Sequence, residues 1–319
     1  ETHHVEYSGD PTVKEGRNDS LAPGIETMAG YLAEAGYDTW GVQTNINGHP
    51  SFGFDHGFAP GQYKFIDFMP ARIVKNNVLQ CMRKAKPPFF LFAHFVDPHS
   101  PYTPTSDYKE VFGPQPVPEP GDVPYVDGGD TAFKNYFYDV VNTYIGRQPQ
   151  MAYPPLSDAG KETLRYRYDA EIRSMDDQLS NMIRTIEGTY ANTIFVIVAD
   201  HGEEFWERGS MGHSNQVYQE SIHVPLILHG PGVPKREVDS LVTTLGVLPT
   251  IAKIAGLPAR PHWQAPDLFT QAANPGPVFA WTGGSYDDGL VNVSTIIEGT
   301  TKLMASLIDS GRPKPTHSD

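Results

Sequence analysis

Apolar residues recur along this chain at spacings that predict its elements. Leu164, Tyr168, Ile172, Met175, Leu179, Met182 and Ile186 follow one another at three or four residues, the signature of one face of an amphipathic helix. Ile25, Met28, Ala29 and Leu32 do the same and predict a helix over 25–35, with Gly36 as its C-terminal cap. A third helix is predicted over 71–84, stopped by Pro87-Pro88, and a mostly helical stretch over 240–255. Apolar runs at 89–95, 193–198 and 224–229 predict strands, those at 89–95 and 193–198 buried, and 39–44 is a further candidate strand. Strands alternating with helices imply an α/β fold, a mostly parallel sheet flanked by helices on both faces. Residues 98–160 are rich in Pro and Tyr and weakly periodic, which suits a functional rim. After Gly256-Leu257-Pro258 the composition turns to Pro, Gly and Trp. The chain therefore reads as a main domain over 1–258 and a small C-terminal α+β subdomain over 259–319.

Composition narrows the function classes. The 319 residues are 39 % apolar and 19 % charged, an ordinary globular balance. A net charge of −14 argues against a nucleic-acid partner, and no basic tract offers itself to a membrane surface. An anionic substrate stays open, because a bound cation and local dipoles set the field inside a pocket. Cys81 is the one cysteine, so neither an intrachain disulfide nor a cysteine metal cluster can form. Its place in the predicted 71–84 helix suits a structural thiol. No apolar run reaches the roughly 18 residues of a membrane span, and no signal-peptide pattern opens the chain.

The candidate chemistry lies at strand ends. Asp200-His201-Gly202-Glu203 follows the apolar run 193–198, and ligands of open α/β sheets gather outside the carboxyl ends of strands. A carboxylate beside an imidazole can share one cation. The glycine lets the backbone turn away. Gly212-His213 follows, and then Val224-Pro225-Leu226 opens a second strand. The run 89–96 also ends in a site-like turn, Asp97-Pro98-His99-Ser100-Pro101-Tyr102, in which the prolines stiffen the backbone around His99. Asp97 is expected to hydrogen-bond within that turn, and His99 to serve a site. His99, His213 and Asp200 are expected to line one cleft, with Thr44 and Asn45 at its border.

Taken in order, the Asp-Pro-His-x-Pro-Tyr turn, the helix Ala170-Glu171-Ile172-Arg173-Ser174-Met175-Asp176-Asp177, Asp200-His201-Gly202-Glu203, Gly212-His213, Val224-Pro225-Leu226 and Pro249-Thr250 resemble the sulfatase family of the alkaline-phosphatase superfamily. The resemblance spans roughly residues 25–260. It implies the alkaline-phosphatase-like fold and hydrolysis of a sulfuric ester, borne by a small molecule or a glycan. It also implies a divalent cation, calcium before manganese or magnesium, and a formylglycine nucleophile made from Cys or Ser. Residue by residue, Asp200 and His201 match metal ligands. His213 stands where a side chain contacts the sulfate or leaving oxygen, and His99 matches a histidine facing the scissile group. Glu203 is taken to orient a neighbour. The family's compartments are periplasmic, secreted or lysosomal rather than cytoplasmic. The residue types suit the reaction. A cation reduces the repulsion between an anionic ester and its attacker, donors stabilise charge on the transferred group, and a histidine can protonate a departing oxygen near neutral pH.

The chain also departs from the family pattern. Neither Cys-x-Pro-x-Arg nor Ser-x-Pro-x-Arg occurs, and the family's early Asp pair, which completes the metal shell, is missing. Thr2-His3-His4-Val5 resembles the stretch just past the nucleophile. The expectation is an incomplete catalytic domain, inactive alone and poorly folded, whose nucleophile lies upstream. The family's frequent Gly-Lys-Trp-His is replaced by Val42-Gln43-Thr44-Asn45, so Thr44 and Asn45 are expected to act as neutral donors to the substrate. That pattern is shared by sulfatase-like phosphonate and phosphodiester hydrolases. They are one rival reading, and a catalytically silent metal- or glycan-binding homologue is another.

Overall fold

The computed structural model describes Val5–Glu6 and residues 20–22, 24–100, 102–119, 122, 156–209, 211–213, 217–286 and 289–309. Most of the segment expected to form a rim, and the stretch Thr2–His4, lie outside the described residues. The chain divides into two compact units, Glu1–Gln115 with Tyr166–Ala191, and Pro116–Arg165 with Asn192–Asp319.

In the first unit, strands β1 (Val5–Glu6) and β2 (Ser20–Leu21) pair antiparallel. Helix α1 (Met28–Glu34) starts three residues later than its apolar pattern, because Thr27 caps it by accepting the Gly30 N–H at 2.9 Å. Gly36, at φ 87°, closes it as expected: its N–H reaches Ala33 O and that of Tyr37 reaches Leu32 O. Strand β3 (Asp38–Gln43) lies between β4 (Tyr63–Phe65) and β5 (Phe89–Ala93), parallel to both. Pairing on both edges buries β3 almost throughout. Helix α2 (Ala71–Met82) connects β4 to β5 and buries Val74, Val78 and Cys81. Burial pushes the Cys81 thiol up, as suits a structural cysteine. β5 is shorter and less buried than predicted, with Phe92 38 % exposed. Among the described residues it pairs only with β3, and that ladder ends at Ala93.

Helix α3 (Asp158–Thr189) runs 32 residues, the first of them to Arg165 grouped with the second unit. Leu164, Met182 and Ile186 are buried as the stripe predicts, but Ile172 is exposed while Ala170 and Glu171 are buried. The inward positions of this turn thus belong to a small residue and an acid.

In the second unit, β6 (Phe195–Val198), β7 (Glu204–Phe205), β8 (Met211–Gly212), the short helix α4 (Gln219–Ile222) and β9 (Leu226–His229) follow in order. β6 pairs with β9 antiparallel, Phe195 opposite His229 and Val198 opposite Leu226. β9 starts after Pro225, which has no N–H for a ladder but whose carbonyl accepts from Ala199. β6 is only half-buried, unlike its predicted interior setting. Helix α5 (Val247–Ile254) occupies less of 240–255 than expected, after one tight turn over Thr244–Gly246. Thr250 donates to Gly246 O and accepts the Leu268 N–H, tying α5 to α6 (Leu268–Ala273). Strands β10 (Val278–Tyr286), β11 (Gly289–Glu298) and β12 (Thr301–Asp309) form an antiparallel meander. Lys302 of β12 donates to Val217 O.

Candidate active site

The hairpin β7–β8 brings titratable side chains together in the second unit. Its register pairs Glu204 with Gly212 and Phe205 with Met211. One step further out, Glu203 and His213 become cross-strand neighbours. His213 Nδ1 lies 2.8 Å from Glu203 Oε1, and both side chains are largely buried. His213 also stacks on His201, with ring centroids 4.0 Å apart and planes at 27°. Burial opposes a charge on His213, but the hydrogen bond and charge of Glu203, with Asp200 behind them, outweigh it and raise its pKa. Ten residues of sequence separation are thus closed by a hairpin of two-residue strands.

Asp200 and His201 stand at the end of β6. Asp200 Oδ1 accepts the His201 N–H at 3.0 Å, and Oδ2 lies 3.7 Å from His201 Nε2. His201 Nδ1 is 2.9 Å from Gly202 O. A carbonyl can only accept, so Nδ1 donates to it and Nε2 faces the Asp200 carboxylate. Metal-binding histidines are held in this manner. The pair fits part of a cation shell: one exposed carboxylate and one imidazole nitrogen, both able to approach a single ion. Among the described residues no group of three or more His, Cys, Asp or Glu side chains could hold a metal, so these two supply only a share of the six to eight ligands that calcium takes.

Gly202 is required by space. Its φ is not positive, but a Cβ there would lie 2.0 Å from Glu220 O, and its N–H donates to Ser221 O at 2.8 Å. The hairpin is braced elsewhere by arginines. Arg208 pairs with Glu220 at 2.7 Å, lies 3.8 Å from the buried Glu204, and sits over the Tyr218 ring. Arg165 donates to Phe205 O. Neither arginine was singled out in the sequence, although the Glu204–Arg208 spacing carries the signal of a pair.

In the first unit, Thr44 corrects the sequence reading. It is fully buried, and its hydroxyl is 2.7 Å from His94 Nδ1, so it is no donor for a substrate. Gln43 Oε1 accepts the N–H groups of both Thr44 and Asn45, and Asn45 Oδ1 accepts the Asn47 N–H. These strand-end side chains serve the backbone. His94 and Gln43 were not picked out, since each lies within an apolar strand pattern. His99 Nδ1 is 2.6 Å from Ser100 O, and its ring meets Phe68 edge-on at 5.4 Å. Phe68 has φ 42° and donates to Thr44 O, an uncommon backbone state for an aromatic residue. Asp97 is not confined to its own turn: the backbone of Ala71, the first residue of α2, also favours its charged form.

The family model named Sulfatase matches residues 2–257, and the chain belongs to that family. An endo-4-O-sulfatase of Bacteroides thetaiotaomicron is 25 % identical over 183 residues, covering 55 % of this chain and 30 % of that protein. The structure of BT1596, a 2-O GAG sulfatase, superposes with a TM-score of 0.67 at 19 % identity, over 93 % of this chain and 68 % of the other. A phosphonate monoester hydrolase from Silicibacter pomeroyi reaches 0.61 at 17 % identity, over 92 % and 76 %. These superpositions establish the α/β, alkaline-phosphatase-like fold. The chain spans less than half the length of the curated relatives it matches first.

Proposed function

We propose that this chain carries the cation-holding and proton-handling part of a sulfuric ester hydrolase whose substrate is a sulfate ester, on a glycan or a smaller molecule. The observation that carries the reading is the Asp200–His201–His213–Glu203 cluster. Asp200 Oδ2 and His201 Nε2 would hold the cation, calcium before manganese or magnesium. Such an ion, when bound, lowers the repulsion between an anionic ester and its attacker. Glu203 keeps the proton on His213 Nδ1 and favours the imidazolium, so Nε2 is the atom that hands a proton to the leaving oxygen. Stacking at 4.0 Å keeps the His213 ring beside His201, so proton donor and cation ligand would act at neighbouring points. His99 carries over as the histidine at the scissile group. The nucleophile, a formylglycine, belongs outside these 319 residues.

Sulfatase relatives named for sulfated glycans support the substrate class. No helix among the described residues is long and apolar enough to cross a membrane. A second reading, phosphonate or phosphodiester hydrolysis, draws on the phosphonate hydrolase likeness and on the absence of the family's Lys and His after β3. Parallel assays of the full-length, matured protein on an aryl sulfate and an aryl phosphodiester separate the two. Faster sulfate hydrolysis, lost on chelation, supports the first reading. Preference for the diester moves the assignment to the second, and inertness toward both leaves a silent cation- or glycan-binding protein.

A further inference from the structure

An acid occupies the inward face of α3 where the apolar pattern predicts none. Glu171 is 6 % exposed. Its Oε1 accepts the Thr103 N–H at 2.5 Å, and its carboxyl interacts with that of Asp97. Tyr102 is fully buried, its ring edge-on to Tyr168 at 5.4 Å. Tyr168 lies one helical turn before Glu171, on the same face. At the other end of the turn, the backbone of Ala71 at the head of α2 favours the charged form of Asp97. His99 sits between these anchors with its ring against Phe68.

We propose that Glu171 is a positioning residue for His99: it fastens the far end of the His99 turn to α3, while Asp97 fastens the near end to α2. The role of His99 itself rests on the reading above. Burial first, and then the charge of Asp97, push the Glu171 carboxyl up to about 9, against the opposing Thr103 N–H and Arg167. Asp97 is raised by burial as well, and its Oδ2 is buried without a hydrogen-bond partner. Glu171 is therefore protonated at neutral pH. Its folded pKa lies above its unfolded value of 4.5, so the folded state binds the extra proton between those values. The stability this contributes is full below pH 4.5 and is lost as pH rises toward 9. The groups facing the carboxyl are Asp97, the Thr103 N–H and Arg167, with the Ala71 backbone acting on Asp97.

The test uses the full-length protein with Glu171→Gln, Glu171→Ala and His99→Ala, read by unfolding midpoint against pH and by NMR of ring-labelled histidine. The wild-type midpoint should fall between about pH 6 and 9, and Glu171→Gln should flatten that fall without moving the His99 resonance. Glu171→Ala should shift and broaden the His99 resonance and lower kcat by roughly tenfold with KM little changed, a smaller loss than a full 1 Å misplacement brings. Parallel pH curves for wild type and Glu171→Gln, or a His99 resonance in Glu171→Ala that superposes on wild type, would overturn the proposal. Wild-type turnover by His99→Ala would remove the role read for His99 and with it the catalytic meaning of the clamp. The resonance and the stability curves still decide whether the clamp exists.

Discussion

Gly202→Ala is the sharpest single perturbation of the cluster. The new Cβ would start 2.0 Å from Glu220 O, and real Cβ contacts essentially never fall below 3.0 Å. The obstacle is a backbone oxygen, so the hairpin entry or α4 must move bodily. Overpacking of this kind costs about 1–3 kcal/mol, and losing the Gly202 N–H to Ser221 O bond adds about 1 kcal/mol. The expected destabilisation is about 2–4 kcal/mol, a fall in Tm of roughly 5–15 °C. His201 and Glu203 flank the displaced residue, so turnover should also fall by roughly 100-fold, the scale set by a 1 Å misplacement. Gly209→Ala is the control: it has φ 82° in the same hairpin but open space around it, so only backbone strain of about 1–2 kcal/mol applies. Thermal unfolding and turnover of both variants, in the full-length protein, check this. If Gly202→Ala melts within about 2 °C of wild type, or costs no more than Gly209→Ala, close packing against Glu220 is not what requires the glycine.

Other expectations follow from the same geometry. His213→Ala should lower kcat far more than it raises KM, as for a group acting mainly in the transition state; equal effects on both would make His213 a ground-state contact. Asp200→Asn should weaken calcium binding by roughly 10-fold or more, removing one charged ligand, and calorimetry showing unchanged affinity would place the cation elsewhere. Thr44→Val should cost about 1 kcal/mol of stability through the lost His94 bond and leave KM unaltered. A raised KM at intact stability would restore Thr44 as a substrate contact.

What could be read in advance depended on how local the cause was. Gly36 was legible because a helix end needs a left-handed residue at one fixed offset. β3 was legible only as a candidate, because Thr39, Gly41 and Gln43 interrupt its apolar residues, and pairing on both edges buries Thr39 and Gln43 all the same. Asp200 and His201 were legible as candidates because adjacent residues after a strand need no knowledge of the fold. Direction and depth were not. The run 193–198 has the same pattern whether its neighbour is parallel or, as with β9, antiparallel, and nothing in it shows that β6 stays half-exposed. Thr44 was misread because a hydroxyl at a strand end looks available until the fold brings His94 against it. Glu171 was invisible as a buried group because an acid in an amphipathic helix ordinarily faces water. Gly202 was singled out correctly but for the wrong reason, since a turn residue and a close-approach residue are written with the same letter.

The three candidate histidines differ in one respect that the sequence hides. His99 and His201 each place Nδ1 on a backbone carbonyl next along the chain, Ser100 O and Gly202 O. Such an acceptor holds the ring in place and adds no charge. His213 places Nδ1 on the carboxylate of Glu203 instead. That partner is stronger and anionic, and it favours the protonated ring even against burial. The same side chain thus meets a neutral partner at 201 and a carboxylate at 213. The difference comes from the pairing of β7 with β8, because only that register brings a carboxylate ten residues away into reach. Shortening or lengthening the hairpin by one residue would turn Glu203 to the opposite face. It would take the carboxylate away from His213 Nδ1, with Asp200 and His201 left as they are.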